Sequence, residues 1–149
     1  MAQIKHIAIS SQDVDATAKF YTEVMGLKEI AKIDSAGARG YYLSDGNINL
    51  AILNFKTDEA AGVERGREWS GLHHIGFEVE SLAEIERKLA EADSTPREDI
   101  NAALRLNMGG PRHMNVETKY RAPDGVTIDV SETGWVGTHG LEETPAIKA

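Results

Sequence analysis

The sequence predicts an α+β fold built from two successive units, each with the element order βαβββ. Two observations carry this prediction. A histidine, an apolar run, a capping residue and an amphipathic helix occur twice, as KHIAISSQDVDATAKFYTEV from Lys5 and HHIGFEVESLAEIERKLAEA from His73. An Asp-Gly turn followed by an apolar strand then closes each copy. The alignment of the two copies places His6 over His74.

The first copy is predicted to begin with a strand over residues 4–10 and a helix over residues 14–25. Apolar residues recur at helical spacing along that helix, at Val14, Ala18, Tyr21 and Met25. Gly26 follows as a favourable helix stop. Three more strands complete the copy, over residues 28–33, 40–43 and 47–53. The last of them follows the turn at Asp45-Gly46.

The second copy is predicted to begin with a strand over residues 74–79. Ser81 and Glu84 form a capping-box pattern, in which each side chain satisfies the other's free backbone amide at the start of a helix. The apolar stripe of this helix consists of Leu82, Ile85 and Leu89. Three strands should follow, the last two over residues 116–121 and 126–131, around the turn at Asp124-Gly125.

These elements divide the chain into four parts. We predict a first unit, a polar linker, a second unit and an irregular tail, over residues 1–55, 56–70, 71–132 and 133–149. The tail is rich in glycine and shows no periodicity. Trp135 is its one large apolar residue near the second unit, and we expect it to attach the start of the tail to the body of the protein.

Composition excludes several classes of function. The 149 residues contain no cysteine, which rules out thiol nucleophiles, cysteine-zinc sites and disulfides and is typical of a reducing cytoplasm. The net charge is −8, without the basic stripe of a nucleic-acid-binding protein. No apolar run approaches the roughly 20 residues that cross a membrane. We therefore expect a cytoplasmic protein whose partner is neither nucleic acid nor membrane.

Strand alternation predicts which side chains converge. One polar face collects His6, Asn49, His74 and Asp129. His73 is expected on the opposite face, together with Ile75. Two imidazoles and one carboxylate suit a divalent ion such as Fe, Mn, Zn, Ni or Co with open positions, and Asn49 is a weaker candidate for a fourth position. The alternative interpretation is that these are ordinary hydrogen-bonded strand residues and a surface carboxylate.

The motifs HIAISSQDVDATAKFYTEVMGL, LHHIGFEVESL and APDGVTIDVSE resemble those of the vicinal oxygen chelate superfamily, which includes glyoxalase I, methylmalonyl-CoA epimerase, fosfomycin- and bleomycin-resistance proteins and extradiol dioxygenases. The resemblance covers residues 3–132. It implies that the two modules form a half-open mixed β-sheet barrel around a central cavity, and that the protein is a homodimer. His6 and His74 match the first-strand metal ligands. Asp129 matches the usual final-strand glutamate but is one methylene shorter.

The resemblance implies a metal-dependent enzyme acting on a small-molecule substrate with vicinal oxygens. An isomerase or lyase of the glyoxalase and epimerase kind is our first expectation. Asn49 departs from it, because glyoxalase I and the epimerase would carry glutamate or glutamine there. The alternatives are an extradiol-type dioxygenase using non-haem iron(II), and a metal-free binding protein of the bleomycin-resistance kind.

Further candidates for catalysis lie on one strand and in one loop of the second copy. In the resembling enzymes the strand that includes Glu117, Lys119 and Arg121 reaches the cavity, where Glu117 would act as base and Lys119 or Arg121 as an anion clamp. The alternative is an exposed edge strand whose charges face water. His113 lies in a glycine-rich loop that would act as a lid carrying an acid–base group, or simply as a turn.

Overall fold

The computed structural model describes residues 1–104 and 117–141. The first copy of the repeat contains β1 (Gln3–Ser10), α1 (Val14–Glu23), β2 (Lys28–Asp34), β3 (Ala38–Ser44) and β4 (Asn49–Phe55). A short helix follows, α2 (Asp58–Ala61). The second copy contains β5 (Gly71–Glu78), α3 (Leu82–Glu91), α4 (Glu98–Ala103), β6 (Glu117–Arg121), a 3₁₀ turn (Pro123–Gly125) and β7 (Thr127–Ser131).

The seven described strands form one mixed sheet, in the order β2-β3-β4-β1-β5-β7-β6. In each copy the first strand runs parallel to the last, β1 beside β4 and β5 beside β7. The two copies meet where β1 and β5 pair antiparallel. Because β2 and β6 are separate edges of the described sheet, it is not closed. The predicted α+β class with a half-open mixed sheet is confirmed.

The sequence pattern did not predict α4. Its six residues are too few to show a helical period, although Glu98 and Asp99 in its first turn are favourable at a helix N-terminus. The predicted capping residue of α3 is confirmed, because the Ser81 side chain accepts a hydrogen bond from the Glu84 amide at 3.1 Å. Of the three strands predicted after α3, two are among the described residues, and residues 105–116 lie outside them.

The two longer helices, α1 and α3, cover the same face of the sheet. Val14 and Ala18 of α1 pack on Leu43 and Ile52, together with the partly buried Ile9. In the second copy the predicted stripe of α3 packs around Val79, Tyr120 and Val130; it consists of Leu82, Ile85 and Leu89. These apolar contacts anchor the register of the strands, so that the polar side chains between them face the other side of the sheet.

Two register shifts interrupt the pairing of β1 with β5, and each shift inserts one extra residue into one strand. The extra residue is Lys5 in β1 and His73 in β5. After each bulge the extra residue and the histidine that follows it are both buried, Lys5 with His6 and His73 with His74. The prediction that His73 lies on the face opposite His74 is therefore wrong, because strict alternation fails at a bulge.

The chain after β7 crosses the first copy without forming a helix or strand in residues 132–141. The Ser44 hydroxyl donates to the carbonyl of Gly137 at 2.6 Å, and the Gly140 amide donates to the carbonyl of Gly46 at 2.9 Å. Trp135 is 3% exposed, so it attaches this segment to the body as expected. In residues 1–104 and 117–141, no helix has the length and apolar character needed to span a bilayer.

Candidate metal centre

Three side chains from three strands place ligand atoms at one buried point. The Nε2 atoms of His6 and His74 are 3.1 Å apart, and His74 Nε2 is 3.0 Å from Asp129 Oδ2. The distance from His6 Nε2 to Asp129 Oδ2 is 3.9 Å. None of the three residues is more than 4% exposed. The residues that strand alternation assigned to one polar face thus meet across β1, β5 and β7.

Gly76 makes this meeting sterically feasible. It pairs with His6 on one side and with Asp129 on the other, so these two residues flank it in one row across the sheet. A β-carbon at Gly76 would lie 2.7 Å from the β-carbon of His6 and 2.7 Å from the Trp135 ring. Only a residue without a side chain leaves room for the imidazole and the indole here.

Hydrogen bonds determine the tautomer of His6. Its Nδ1 is 2.8 Å from the side-chain oxygen of Asn49, which lies beside it in the β1–β4 ladder. The amide nitrogen of Asn49 donates to the carbonyl of Val136 at 3.0 Å, so its oxygen faces His6. His6 Nδ1 must therefore carry the proton, which leaves a lone pair on Nε2. Asn49 is fully buried on the predicted face, but its oxygen is engaged with Nδ1 of His6.

His74 has the same tautomer for a different reason. His73 Nε2 lies 2.5 Å from the carbonyl oxygen of Ala61, which can only accept, so this nitrogen donates. Burial lowers the pKa of His73 to about 4, so the ring is neutral and its Nδ1 is an acceptor. His74 Nδ1 is 2.7 Å from that atom and donates to it. The Nε2 atom of His74 consequently also presents a lone pair.

Asp129 adds a third acceptor atom beside the two unprotonated Nε2 atoms of His6 and His74. Burial lowers the pKa values of His6 and His74, so both rings are neutral. Neither Asp129 oxygen has a hydrogen bond of regular geometry with a described residue, although the Lys119 ammonium lies 2.8 Å from Oδ1. Three electron pairs from two nitrogens and one oxygen therefore face one another, which is the arrangement that a cation stabilises.

Lys119 and Glu117 lie next to this set. Lys119 is 1% exposed, and its ammonium is also 3.4 Å from Glu117 Oε1. Burial opposes the charge of this ammonium, but the negative charges of Asp129 and Glu117 prevail and raise the pKa of Lys119. The interpretation of this strand as a charged face exposed to water is wrong for Lys119, whereas Arg121 is exposed. His113, the third predicted catalytic residue, lies outside the described residues.

Sequence reasoning did not assign Trp135 to the site. Its indole stacks on the imidazole of His6, with ring centroids 4.7 Å apart and planes 3° from parallel. Its Nε1 donates to Glu117 Oε2 at 3.0 Å. A tryptophan isolated in a segment rich in glycine was the available signal, but nothing in the spacing indicated which strand it would meet. Trp135 therefore forms a wall that joins the first copy to β6.

Of the two adjacent tyrosines, Tyr42 is the one near the site. Burial raises the pKa of Tyr42, and the charges of Glu117 and Asp129 raise it further. The hydroxyl of Tyr41 donates instead to the carboxylate of Asp15, on the side of the sheet where α1 lies. Tyr42 therefore stays protonated at neutral pH, as a neutral hydroxyl close to the two carboxylates.

The donor set and its spacing fit a divalent ion. Metal–ligand distances of about 2.0 to 2.2 Å place neighbouring ligands about 3.0 to 3.5 Å apart, close to the separations of His74 Nε2 from His6 and Asp129. All three ligand atoms lie within 4.8 Å of one another. His74 needs no asparagine beside its Nδ1, because the Nδ1 atom of His73 accepts that hydrogen bond.

Comparison with known proteins agrees with this architecture. Residues 3–130 match the sequence model of the Glyoxalase/Bleomycin resistance protein/Dioxygenase superfamily. The chain belongs to this superfamily. The resemblance in the repeated motifs is thereby confirmed, including the fold that it implied.

Among the curated relatives of this superfamily member are mitochondrial methylmalonyl-CoA epimerases. The human protein is 24% identical over 86 residues, which cover 55% of this chain and 49% of the relative. The mouse protein is 21% identical over 87 residues, which cover 56% and 49%. The chain thus spans about half the length of the curated relatives it matches.

Solved structures of similar fold include further methylmalonyl-CoA epimerases. A variant of the Streptomyces coelicolor enzyme in complex with 2-nitronate-propionyl-CoA superposes with a TM-score of 0.65 at 21% identity, covering 87% of this chain and 95% of that one. A methylmalonyl-CoA epimerase in complex with methylmalonyl-CoA and NH4+ gives 0.66 at 20% identity, covering 88% and 94%. At these identities the likeness shows a shared fold.

Proposed function

We propose that this superfamily member is a divalent-metal-dependent isomerase of the epimerase kind, which moves a proton on the carbon next to a carbonyl group. The observation that carries the proposal is the convergence of three lone-pair-bearing atoms, on His6, His74 and Asp129, at one buried point. Burying an ionised carboxylate without hydrogen bonds is costly unless a cation compensates it. Lys119 compensates Asp129 Oδ1 in part, and an ion bound by these three residues would compensate Oδ2.

The chemistry of the site supports proton transfer beside a carbonyl. When bound, a divalent ion supplies Lewis-acid polarisation of a substrate oxygen. His6 and His74 hold their Nε2 lone pairs toward the ion because their Nδ1 protons are engaged elsewhere. A substrate with two neighbouring oxygens would bind such an ion through both of them, which would orient the carbon that loses its proton.

Glu117 is the proposed base. It is near the centre without belonging to the ligand set, and its two oxygens are held by Trp135 Nε1 and the Lys119 ammonium. These two donors fix the direction of the carboxylate. An epimerase returns the proton on the opposite face of the carbon, so a second acid–base group is required. His113 stays our prediction for that role.

The relatives support a substrate of the acyl-CoA class. The curated relatives are methylmalonyl-CoA epimerases, and the two structural neighbours described above were solved with methylmalonyl-CoA or 2-nitronate-propionyl-CoA. A branched acyl thioester beside a carboxylate contains two carbonyl oxygens that can chelate one ion. We therefore propose a 2-carboxyacyl thioester as substrate, with methylmalonyl-CoA as the first compound to test.

The experiment combines metal analysis with isotope exchange. Protein purified without chelator is expected to contain a divalent ion and to exchange the C2 hydrogen of methylmalonyl-CoA in deuterium oxide. His74→Ala should lose ion and exchange together. Glu117→Gln should keep the ion and lose exchange, whereas Glu23→Gln, at an exposed carboxylate, should keep both. Exchange at the wild-type rate in Glu117→Gln would show that Glu117 is not the base.

One observation favours a second candidate. Because the Asn49 oxygen is engaged by His6, the ligand set is two histidines and one carboxylate, the arrangement used by non-haem iron(II) oxygenases. An extradiol-type dioxygenase would contain iron and consume oxygen with catechols, without exchanging hydrogen beside a carbonyl. The same metal analysis and an oxygen electrode therefore distinguish it from the isomerase.

The third alternative is a metal-free binding protein. The Lys119 ammonium, 2.8 Å from Asp129 Oδ1, supplies a positive charge that partly compensates the buried carboxylate. Purified protein without any divalent ion, and without affinity for added Zn2+, Ni2+ or Mn2+, would favour this alternative over both enzymes.

A further inference from the structure

We propose that His73 is a positioning residue of this centre: it accepts the Nδ1 proton of His74 and so keeps the Nε2 lone pair of His74 aimed at the ion. The inference rests on the proposed metal centre and extends it to a residue that strand alternation assigned to the wrong face. It concerns the metal affinity of the chain, which can be measured without any substrate.

The bulge in β5 brings His73 into position. Adjacent strand residues normally face opposite ways, and their rings cannot meet. Here Ala8 pairs with His74 and Ile9 pairs with Leu72, so His73 is left between them without a partner. The result is a 2.7 Å contact between the Nδ1 atoms of His73 and His74, with the two rings nearly perpendicular at 79°.

The hydrogen bonds from His74 through His73 to Ala61 run in one direction, which the Ala61 carbonyl determines. The Ala61 carbonyl can only accept, so His73 Nε2 donates and, in the neutral ring, His73 Nδ1 accepts. The proton between the two rings consequently belongs to His74 Nδ1. If His73 were replaced by a residue without an acceptor there, the buried Nδ1–H of His74 would lose its partner, and the other tautomer would place a proton where the ion belongs.

The surroundings of His73 keep its ring in one orientation. It is 6% exposed, and its ring centroid lies 4.5 Å from that of Phe55 and 6.5 Å from that of Trp69. The Ala61 carbonyl belongs to α2, whose alanines are buried against Ala38 and Phe55. Packing of the linker helix is thereby transmitted through one imidazole to a ligand of the ion.

In the first copy of the repeat, a different residue accepts the Nδ1 proton of the ligand histidine. This is independent support for the role of His73. The bulge residue of the first copy is Lys5, whose ammonium cannot accept a hydrogen bond. It donates instead to Asn47 and to the Thr138 carbonyl. The acceptor for His6 Nδ1 therefore comes from Asn49 on the last strand. In the second copy the last strand instead contributes Asp129, which pairs with Gly76 and faces the ion, and the acceptor is the bulge residue His73.

Two variants separate this role from a purely structural one. His73→Asn places an amide oxygen near the former Nδ1, which keeps the acceptor for His74 but loses the contact with Ala61. His73→Gln places an amide nitrogen near the former Nε2, which keeps the contact with Ala61 but loses that acceptor. Zn2+ dissociation constants would be measured for both by competition with a chromogenic chelator, together with Co2+ absorption spectra and the thermal midpoint of the chelator-treated protein.

We expect His73→Gln to bind Zn2+ about 10- to 100-fold more weakly than wild type and to show an altered Co2+ spectrum. His73→Asn should stay within about threefold of wild type, even where its thermal midpoint is the lower of the two. The reverse order, or wild-type affinity in His73→Gln, overturns the inference. Wild-type protein that binds neither ion contradicts the proposed metal centre itself, and His74→Ala supplies the reference for a lost ligand.

Discussion

The Lys119 ammonium lies 2.8 Å from Asp129 Oδ1, and the two side chains are 1% and 0% exposed. The other oxygen of the same carboxylate, Oδ2, is 3.0 Å from His74 Nε2. Asp129 thus has a permanent cation on one side and the proposed ion position on the other. A lysine in this place lowers the cost of burying the carboxylate in the metal-free protein, and it leaves one oxygen for an ion.

Lys119→Met is expected to lower the free energy of unfolding of the chelator-treated protein by about 3 to 5 kcal/mol, because Asp129 then stays buried without its cation. Saturating Zn2+ should recover a large part of this loss, since the ion supplies the missing positive charge. Urea denaturation with and without Zn2+ measures both effects.

The matched control is Lys88→Met. Lys88 is 57% exposed in its ion pair with Glu84, so the change in stability should be below about 0.5 kcal/mol and independent of Zn2+. Equal losses for the two lysines would contradict the structural importance of the buried pair.

Trp135 contributes in two separable ways. Trp135→Phe retains an aromatic ring against His6 but removes the indole N–H that Glu117 accepts, and we expect a loss of about 1 to 2 kcal/mol. Trp135→Ala also removes the stacked ring and leaves a cavity, with a loss of about 3 to 5 kcal/mol. Chemical denaturation of the two variants measures the difference. Indistinguishable losses would mean that the stack on His6 adds nothing to the hydrogen bond.

Gly76→Ala tests the crowding between His6 and Trp135. The added methyl would be 2.7 Å from each of them, so the site must shift, at a cost of about 1 to 3 kcal/mol in stability and with weaker Zn2+ affinity. Gly26→Ala is the control, because a β-carbon there meets no atom within 4 Å and strains only the backbone, at a φ of +78°. The control should lose stability without losing Zn2+ affinity. Unchanged affinity in Gly76→Ala would show that the site adapts.

The stability of the chelator-treated protein should fall with acid before the carboxylates titrate. Burial lowers the pKa of His73 from 6.5 to about 4, so between those values the unfolded chain binds a proton that the folded chain does not. The contribution of His73 is fully present above pH 6.5 and decreases as the pH falls toward 4. Urea denaturation should show a loss of about 2 kcal/mol or more from pH 7.5 to pH 5, since the pKa values of His6 and His74 are lowered too.

His73→Asn provides the internal comparison for this pH dependence. It removes one of the three titrating rings, so the slope of stability against pH should decrease while its sign stays the same. A slope equal to that of wild type would indicate that His73 is protonated equally in the folded and unfolded chains.

Among the described residues, periodicity was sufficient for the strands and for the polar face they create. His6, Asn49, His74 and Asp129 lie on one buried face because alternation along four strands is enforced by the apolar side chains between them. The same rule failed at His73, where a bulge added one residue to β5. A bulge depends on how two strands distant in sequence pair, and no local pattern within LHHIGF reveals it.

The sequence by itself determined the two βαβββ-like copies, the face on which two histidines and an aspartate meet, and the membership of a superfamily. Only the tertiary structure decided which nitrogen of each imidazole carries the proton, that Lys119 is buried against Asp129, and that Trp135 covers His6. The reason is physical. Apolar periodicity is a local property of each segment, whereas hydrogen-bond direction, charge pairing and ring stacking arise between atoms that folding brings together from distant parts of the chain.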